Sequence, residues 1–232
     1  MGDKTASFEL IETCLARLGR DGFLTPFLTL SEAAGAAQIM VFSYAPDHAA
    51  CLLSRNFRAG ALGAQLAADY LDGWFLDDPL YTQVMQMQAG DSQTARFDQL
   101  RPRMRPEYRT RFFDTPDLAG KAAVLIAGDR LKLVVNLYWD ANTTAMPDLC
   151  PLLARLALIH FETRPEHSFP EPLAVLSDRE RAVCLGMLAG KKAEQIAADL
   201  DVAPSSVITY RRRAYAKLGI NSRGSLFAIC RA

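Results

Sequence analysis

Two apolar, β-branched runs, "KAAVLIAG" at 121–128 and "RLKLVVNLYW" at 130–139, meet at Gly128-Asp129 and constrain the fold more than any other feature. A Gly-Asp step between two strand-like runs reads as a hairpin turn. Runs with so few polar positions do not alternate, so the hairpin must be covered on both faces. The neighbouring segments supply the cover. "SFELIETCLARLG" (7–19) and "FLTPFLTLSEAAGAA" (23–37) have helical spacing, the second with an interruption expected near Pro26. "QIMVFSYA" (38–45) and "CLLSRNF" (51–57) read as strands joined by the turn-rich "PDHAA". "LGAQLAADYLDGWF" (62–75), "MRPEYRTRFFDT" (104–115) and "MPDLCPLLARLALIHFET" (146–163) return to the helical period. The expected fold is α+β: an N-terminal α/β/α sandwich with a central antiparallel sheet.

A second feature marks off the end of the chain. Three prolines (Pro165, Pro170, Pro172) within eight residues predict a short, stiffened linker, placed at 165–174 between an N-terminal domain (1–164) and a C-terminal domain (175–232). After it the pattern is helical only. Ser177 and Glu180 fit a capping box, Gly190 ends the first helix, and "KKAEQIAADL" makes a second. "DVAP" is a tight turn with Pro204 at the first position of a third helix that stops at Gly219. A fourth helix, "SRGSLFAICRA", makes this an all-α four-helix domain of helix-turn-helix type.

Charge separates the two parts as well. The chain has a formal net charge of zero, yet residues 171–232 hold ten Lys or Arg against six acids, and the rest is correspondingly acidic. No acidic side chain occurs from Ser205 onward, where "VITYRRRAYAKLGINSR" places three arginines side by side. A solvated helix face normally shows both signs, so a one-signed end points to a polyanion partner. With Val207 at 0° and about 100° per residue, Val207, Ala214 and Leu218 form one stripe, while Thr209, Arg212 and Ala216 lie opposite, flanked by Ile208 and Arg213. Such a face suits a DNA major groove, Arg212 forking onto guanine while Thr209 or Ile208 meets a thymine methyl. Arg213, Lys217 and Tyr210 lie toward one edge for phosphates, with Ser205 and Ser206 at the helix start and Lys191 and Lys192 before the preceding helix. Arg211 sits about 40° from the core stripe, where a structural pairing with an acid such as Glu180 is one of two open readings.

Residues 176–223 resemble the LuxR/FixJ-type DNA-binding domain of bacterial regulators, through "LSDRE", Val183, Gly190, "EQIAADL", "SVITY" and "KLGINSR". The resemblance implies that the third helix reads the major groove through Ile208, Thr209 and Arg212. It makes Lys192, Arg213 and Lys217 phosphate contacts, and it implies that the fourth helix helps two copies pair on a pseudo-palindromic operator. Cys184 stands where the family has leucine, and Ala203 replaces the usual serine cap, a change worth about 1 kcal/mol.

The N-terminal part lacks the alternating βα pattern of a phosphorylated receiver and the phosphate loop of an ATPase. "YLDGWFLDDPL" (70–80) is similar to the aromatic pair and Asp-Pro of quorum-sensing receptors, with the aromatics in reverse order and at shorter spacing. That similarity makes Tyr70, Trp74 and Asp78 candidate ligand contacts: the aspartate would take an amide N–H of an acyl-homoserine lactone, and the indole would hold a carbonyl. Another small apolar ligand, or a ligand-independent dimerisation or protein-docking module, fits the same residues.

The five cysteines are scattered singly and odd in number, the pattern of free thiols in a reducing cytoplasm, and no Cys/His spacing suits zinc. No cofactor or metal is expected. No run is long enough to span a membrane, and the N-terminus lacks a signal-peptide core. There is no G-x-S-x-G, and the three histidines make no constellation beyond a coincidental Cys150–His160 pair, so no catalytic residue is assigned. The expected protein is a cytoplasmic, homodimeric DNA-binding regulator rather than an enzyme.

Overall fold

The computed structural model describes residues 2–46, 48–57, 70–114, 120–139, 146–164 and 169–230. Five strands, β1 (Gln38–Ala45), β2 (His48–Asn56), β3 (Ser92–Arg96), β4 (Gly120–Ala127) and β5 (Lys132–Trp139), form one antiparallel sheet in the order β2-β1-β5-β4-β3. β4 and β5 are the hairpin read from the sequence, in register from Ala127↔Lys132 to Gly120↔Trp139. Every residue from Lys121 to Ala127 is buried. The pleat divides them: Ala122, Val124 and Ile126 enter one core, while Ala123, Leu125 and Ala127 enter the other.

The turn of this hairpin is pinned from outside. Glu162 Oε1 accepts from the backbone N–H of Arg130 (2.8 Å) and of Leu131 (3.0 Å). A Cβ on Gly128 would stand 2.2 Å from the same carboxyl oxygen, so a side chain there would push the Glu162 carboxylate off its two donors.

Helices α1 (Gly2–Ala16), α2 (Leu24–Ala33) and α6 (Cys150–Thr163) supply the residues that cover one face of the sheet. α2 is not interrupted at Pro26. The proline falls in the first turn, where a helix has no intrahelical acceptor for the missing N–H. The opposite face carries the 3₁₀ turn Trp74–Asp77 and short helices α3 (Tyr81–Gln86), α4 (Phe97–Leu100) and α5 (Pro106–Arg109), followed by a wide turn Thr110–Asp114. The helix expected over 62–75 lies largely outside the described residues; Tyr70 and Leu71 are helical, and Asp72-Gly73 turn the chain into the 3₁₀ segment from Trp74. β2 begins at His48, three residues before the expected strand, and a bulge at Leu52 re-aims it. β3 had no apolar signal to announce it: four of its five residues are exposed, as suits a polar edge strand.

The C-terminal domain contains four helices, α7 (Asp178–Leu188), α8 (Ala193–Leu200), α9 (Pro204–Leu218) and α10 (Arg223–Ile229). The segment leading into it is not a free spacer where it is described. Glu171–Val175 forms a 3₁₀ turn packed along β2, with Pro172 and Leu173 buried. Arg164, at the end of α6, ties back to Glu171 at 2.7 Å. All five cysteines are free. Burial raises the Cys14 and Cys150 thiols to about 11 and those of Cys184 and Cys230 to about 12.

Candidate nucleic-acid interface

The C-terminal helices are fixed by caps and a half-buried ion pair. Ser177 N–H donates to Glu180 Oε2 (2.9 Å), the glutamate half of the capping box. Gly186 lets α8 approach closely, since a Cβ there would meet Ile196 Cγ1 at 2.8 Å. α9 starts at Pro204 without a side-chain cap, as Ala203 has no oxygen to offer, and ends at Gly219 with φ +69°. Val207, Ala214 and Leu218 are the buried residues of α9, the stripe that the helical wheel assigns.

The opposite face of α9 is open. Ile208 is 52% exposed, unusual for an isoleucine in a folded domain, and Arg211, Arg212 and Arg213 are all exposed. None of the three guanidiniums has a carboxylate partner among the described residues. Thr209, half-buried, donates its hydroxyl to Ser205 O (3.1 Å). Ser205 is exposed and Ser206 half-buried at the first turn, and Tyr210 leans half-buried against the core. Lys192 is exposed, with its backbone N–H donated to Gln195 Oε1 (2.8 Å). Lys191 reaches Asp199 at 2.7 Å, an exposed pair weak enough to yield to a phosphate.

Glu180 bears on two of the expectations. Lys217, expected at the outer edge, donates its ammonium to Glu180 Oε2 at 2.6 Å while its side chain stays 34% exposed. Glu180 is thereby occupied, and the pairing considered for Arg211 does not form. Burial alone would raise the Glu180 carboxyl, but the Lys217 bond and the Ser177 hydrogen bonds outweigh it and hold its pKa below the ordinary value.

The second candidate site lies beneath the sheet. Tyr70 and Asp78 meet, with Tyr70 Oη donating to Asp78 Oδ2 at 2.9 Å. Trp74 does not join them: its ring packs edge-on to Phe112 (5.9 Å) and under the Arg111 guanidinium (5.1 Å). Two residues absent from the sequence reading complete the cluster. Tyr108 Oη donates to Asp78 Oδ2 (2.8 Å), and Tyr44 Oη lies 2.5 Å from Tyr70 Oη. Leu80 N–H donates to the other oxygen, Oδ1, at 2.8 Å. Burial, then the charge of Asp78, pushes all three phenols well above the ordinary tyrosine value. Only the strand position of Tyr44 and the helical setting of Tyr108 could have hinted at this convergence.

A tight turn between two helices, a third helix with an apolar inner stripe and a cationic outer face define a helix-turn-helix DNA-binding domain. Residues 174–229 match the GerE family, the bacterial regulatory proteins of the luxR family, so the chain carries a LuxR-type DNA-binding domain. Similar solved structures include Escherichia coli SdiA, with 15% identity, 96% of this chain and 97% of that chain covered, and a TM-score of 0.43. The VqsR LBD domain from Pseudomonas aeruginosa is similar at 14% identity, 68% and 98% coverage and a TM-score of 0.46. No curated protein matches the chain.

Proposed function

We propose that the protein is a cytoplasmic transcription regulator that binds a pseudo-palindromic operator as a homodimer, one α9 per half-site in successive major grooves. The carrying observation is the outward stripe of Ile208, Thr209 and Arg212 on a helix end without acidic side chains. Arg212 reads a guanine edge, and Ile208 and the Thr209 methyl meet thymine. Lys191, Lys192 and Arg213 neutralise phosphates, assisted by Ser205, Ser206 and Tyr210 at the start and edge of the helix. Phe227, 42% exposed on α10, offers an apolar contact for the second copy.

For the N-terminal sandwich we favour a ligand-independent dimerisation or docking role. Both Asp78 oxygens already accept from the chain's own donors, Tyr70 and Tyr108 on one and Leu80 on the other. An amide-bearing signal such as an acyl-homoserine lactone would have to displace a phenol at Oδ2 or share Oδ1 with the Leu80 N–H. Control by a small apolar ligand is the second reading, supported by the enclosed aromatic surroundings of Tyr70.

Selection of duplexes from a random pool with the purified chain tests the DNA reading. An enriched inverted repeat is expected, with log affinity falling against log salt with a slope of about −5 for six phosphates neutralised by two copies. Absence of any duplex binding in dilute buffer overturns it. Solvent extraction with mass spectrometry, and thermal melts with added lipophilic amides, separate the two readings of the sandwich. A specific bound molecule favours the ligand; an empty, fully folded protein favours docking.

A further inference from the structure

Arg211 is a cation of α9 that the base-reading stripe, the Glu180 pair and the phosphate contacts assigned above leave unused. It is exposed and opens onto a groove of about 850 Å³ between the flank of α9, the start of α8 and the start of α10. Lys191, Lys192, Arg212 and Arg223 line the same groove, and no described lining residue is acidic. Arg223 is held in place there, donating to Met187 O (2.8 Å) with its guanidinium over Phe227 (5.6 Å). Lys191 is paired with Asp199 at 2.7 Å, and the other four cations around the groove repel one another until an anion of matching length neutralises them. Because the groove runs into the stripe of Ile208 and Arg212, that anion is continuous with whatever those residues read.

The far wall comes from the other part of the chain. Asn56, the last residue of β2, lines the groove as well. Its place is set by the packing of β2 on the end of α9. Ser54 Oγ donates to Leu218 O at 2.5 Å in a buried contact, and a Cβ on Gly219 would stand 3.1 Å from Asn56 Cβ.

We propose that this groove carries one phosphodiester strand of the operator, with Arg211 as a backbone contact and Asn56 of β2 at its far wall. The DNA surface is then shared between the helix-turn-helix and the N-terminal sheet. This rests on the DNA-binding reading above and names where one backbone strand runs. The role of Arg211 is positional and charge-based, so it strengthens all duplexes alike, whereas Arg212 discriminates among them.

The test uses the full chain, the selected operator and a scrambled duplex of equal length, over a salt series. Arg211→Ala is expected to weaken both duplexes by the same factor and reduce the salt slope by about one per protomer, with the preference for operator unchanged. Arg211→Lys retains the slope. Asn56→Lys is expected to tighten binding and Asn56→Asp to weaken it; the isosteric aspartate carries the sign alone if the lysine is not accommodated. An unchanged slope in Arg211→Ala overturns the proposal. So does tighter binding by both Asn56 variants, which would mean that β2 shields the groove rather than lining a DNA path. A wild-type chain that binds no duplex fails the function itself, whereas binding with silent variants fails only this inference.

Discussion

Replacing Lys217 by Met keeps the aliphatic stem and removes the ammonium, which isolates the Lys217–Glu180 ion pair of the DNA-binding domain. Glu180 is only 5% exposed at its side chain and accepts from Lys217 Nζ at 2.6 Å and Ser177 N at 2.9 Å. A hydrogen bond to a charged group contributes about 1.5–3 kcal/mol, and stripping one partner from a fully buried pair costs about 3–5 kcal/mol. Lys217 is 34% exposed, so water can partly replace the ammonium and the lower end applies, about 2 kcal/mol. For a chain of this size that lowers Tm by about 4–8 °C. The salt slope of DNA binding should not change, because the ammonium is engaged by Glu180. Thermal melts and a salt series on the same preparation measure both quantities. A double-mutant cycle with Glu180→Gln should return a coupling of the same order. An unchanged Tm together with a slope reduced by about one per protomer would refute the reasoning and return Lys217 to the phosphate contacts.

Other outcomes follow from the same geometry. Arg212→Ala should flatten base preference at one operator position by about 1–3 kcal/mol, read from binding to single-substitution duplexes; equal losses on all duplexes would make Arg212 a backbone contact. Tyr108→Phe removes one of the two phenols on Asp78 Oδ2 and should cost about 1.5–3 kcal/mol in denaturant melts without changing the fold. Because the Glu180 pKa is lowered on folding, its contribution is present above the ordinary glutamate value of about 4.3 and is lost as pH falls through the folded value, so the domain should weaken on acidification below about pH 4. The three phenols are shifted upward, so their contribution is full below about pH 10 and is lost as pH rises through their folded values. Alkaline unfolding, followed by phenolate absorbance and circular dichroism, should therefore be steep. Gly219→Ala forces φ +69° on an L residue and crowds Asn56 Cβ at 3.1 Å, and should destabilise by about 1–3 kcal/mol in the same melts.

The elements that were legible from the sequence are those whose signals are local. The β4–β5 hairpin follows from two unbroken apolar runs and a glycine turn, and the limits of α9 follow from Pro204 and Gly219. Its inner stripe follows from helical geometry alone. The polar strand β3 was not legible, because an exposed edge strand needs no alternation to satisfy its one paired side.

What the amino-acid order determined by itself was the angular position of each side chain around its own helix, together with the one-signed charge of the C-terminal end. Which cation turns inward was decided only in three dimensions. Lys217 and Arg211 flank the same stripe of α9, and the wheel does not say on which side α7 presents Glu180. The same holds for Asp78, whose phenol partners lie 8 and 30 residues away along the chain and meet it only once the helices fold under the sheet. Periodicity encodes direction along one element; partnership depends on how elements pack, and that is a property of the whole core.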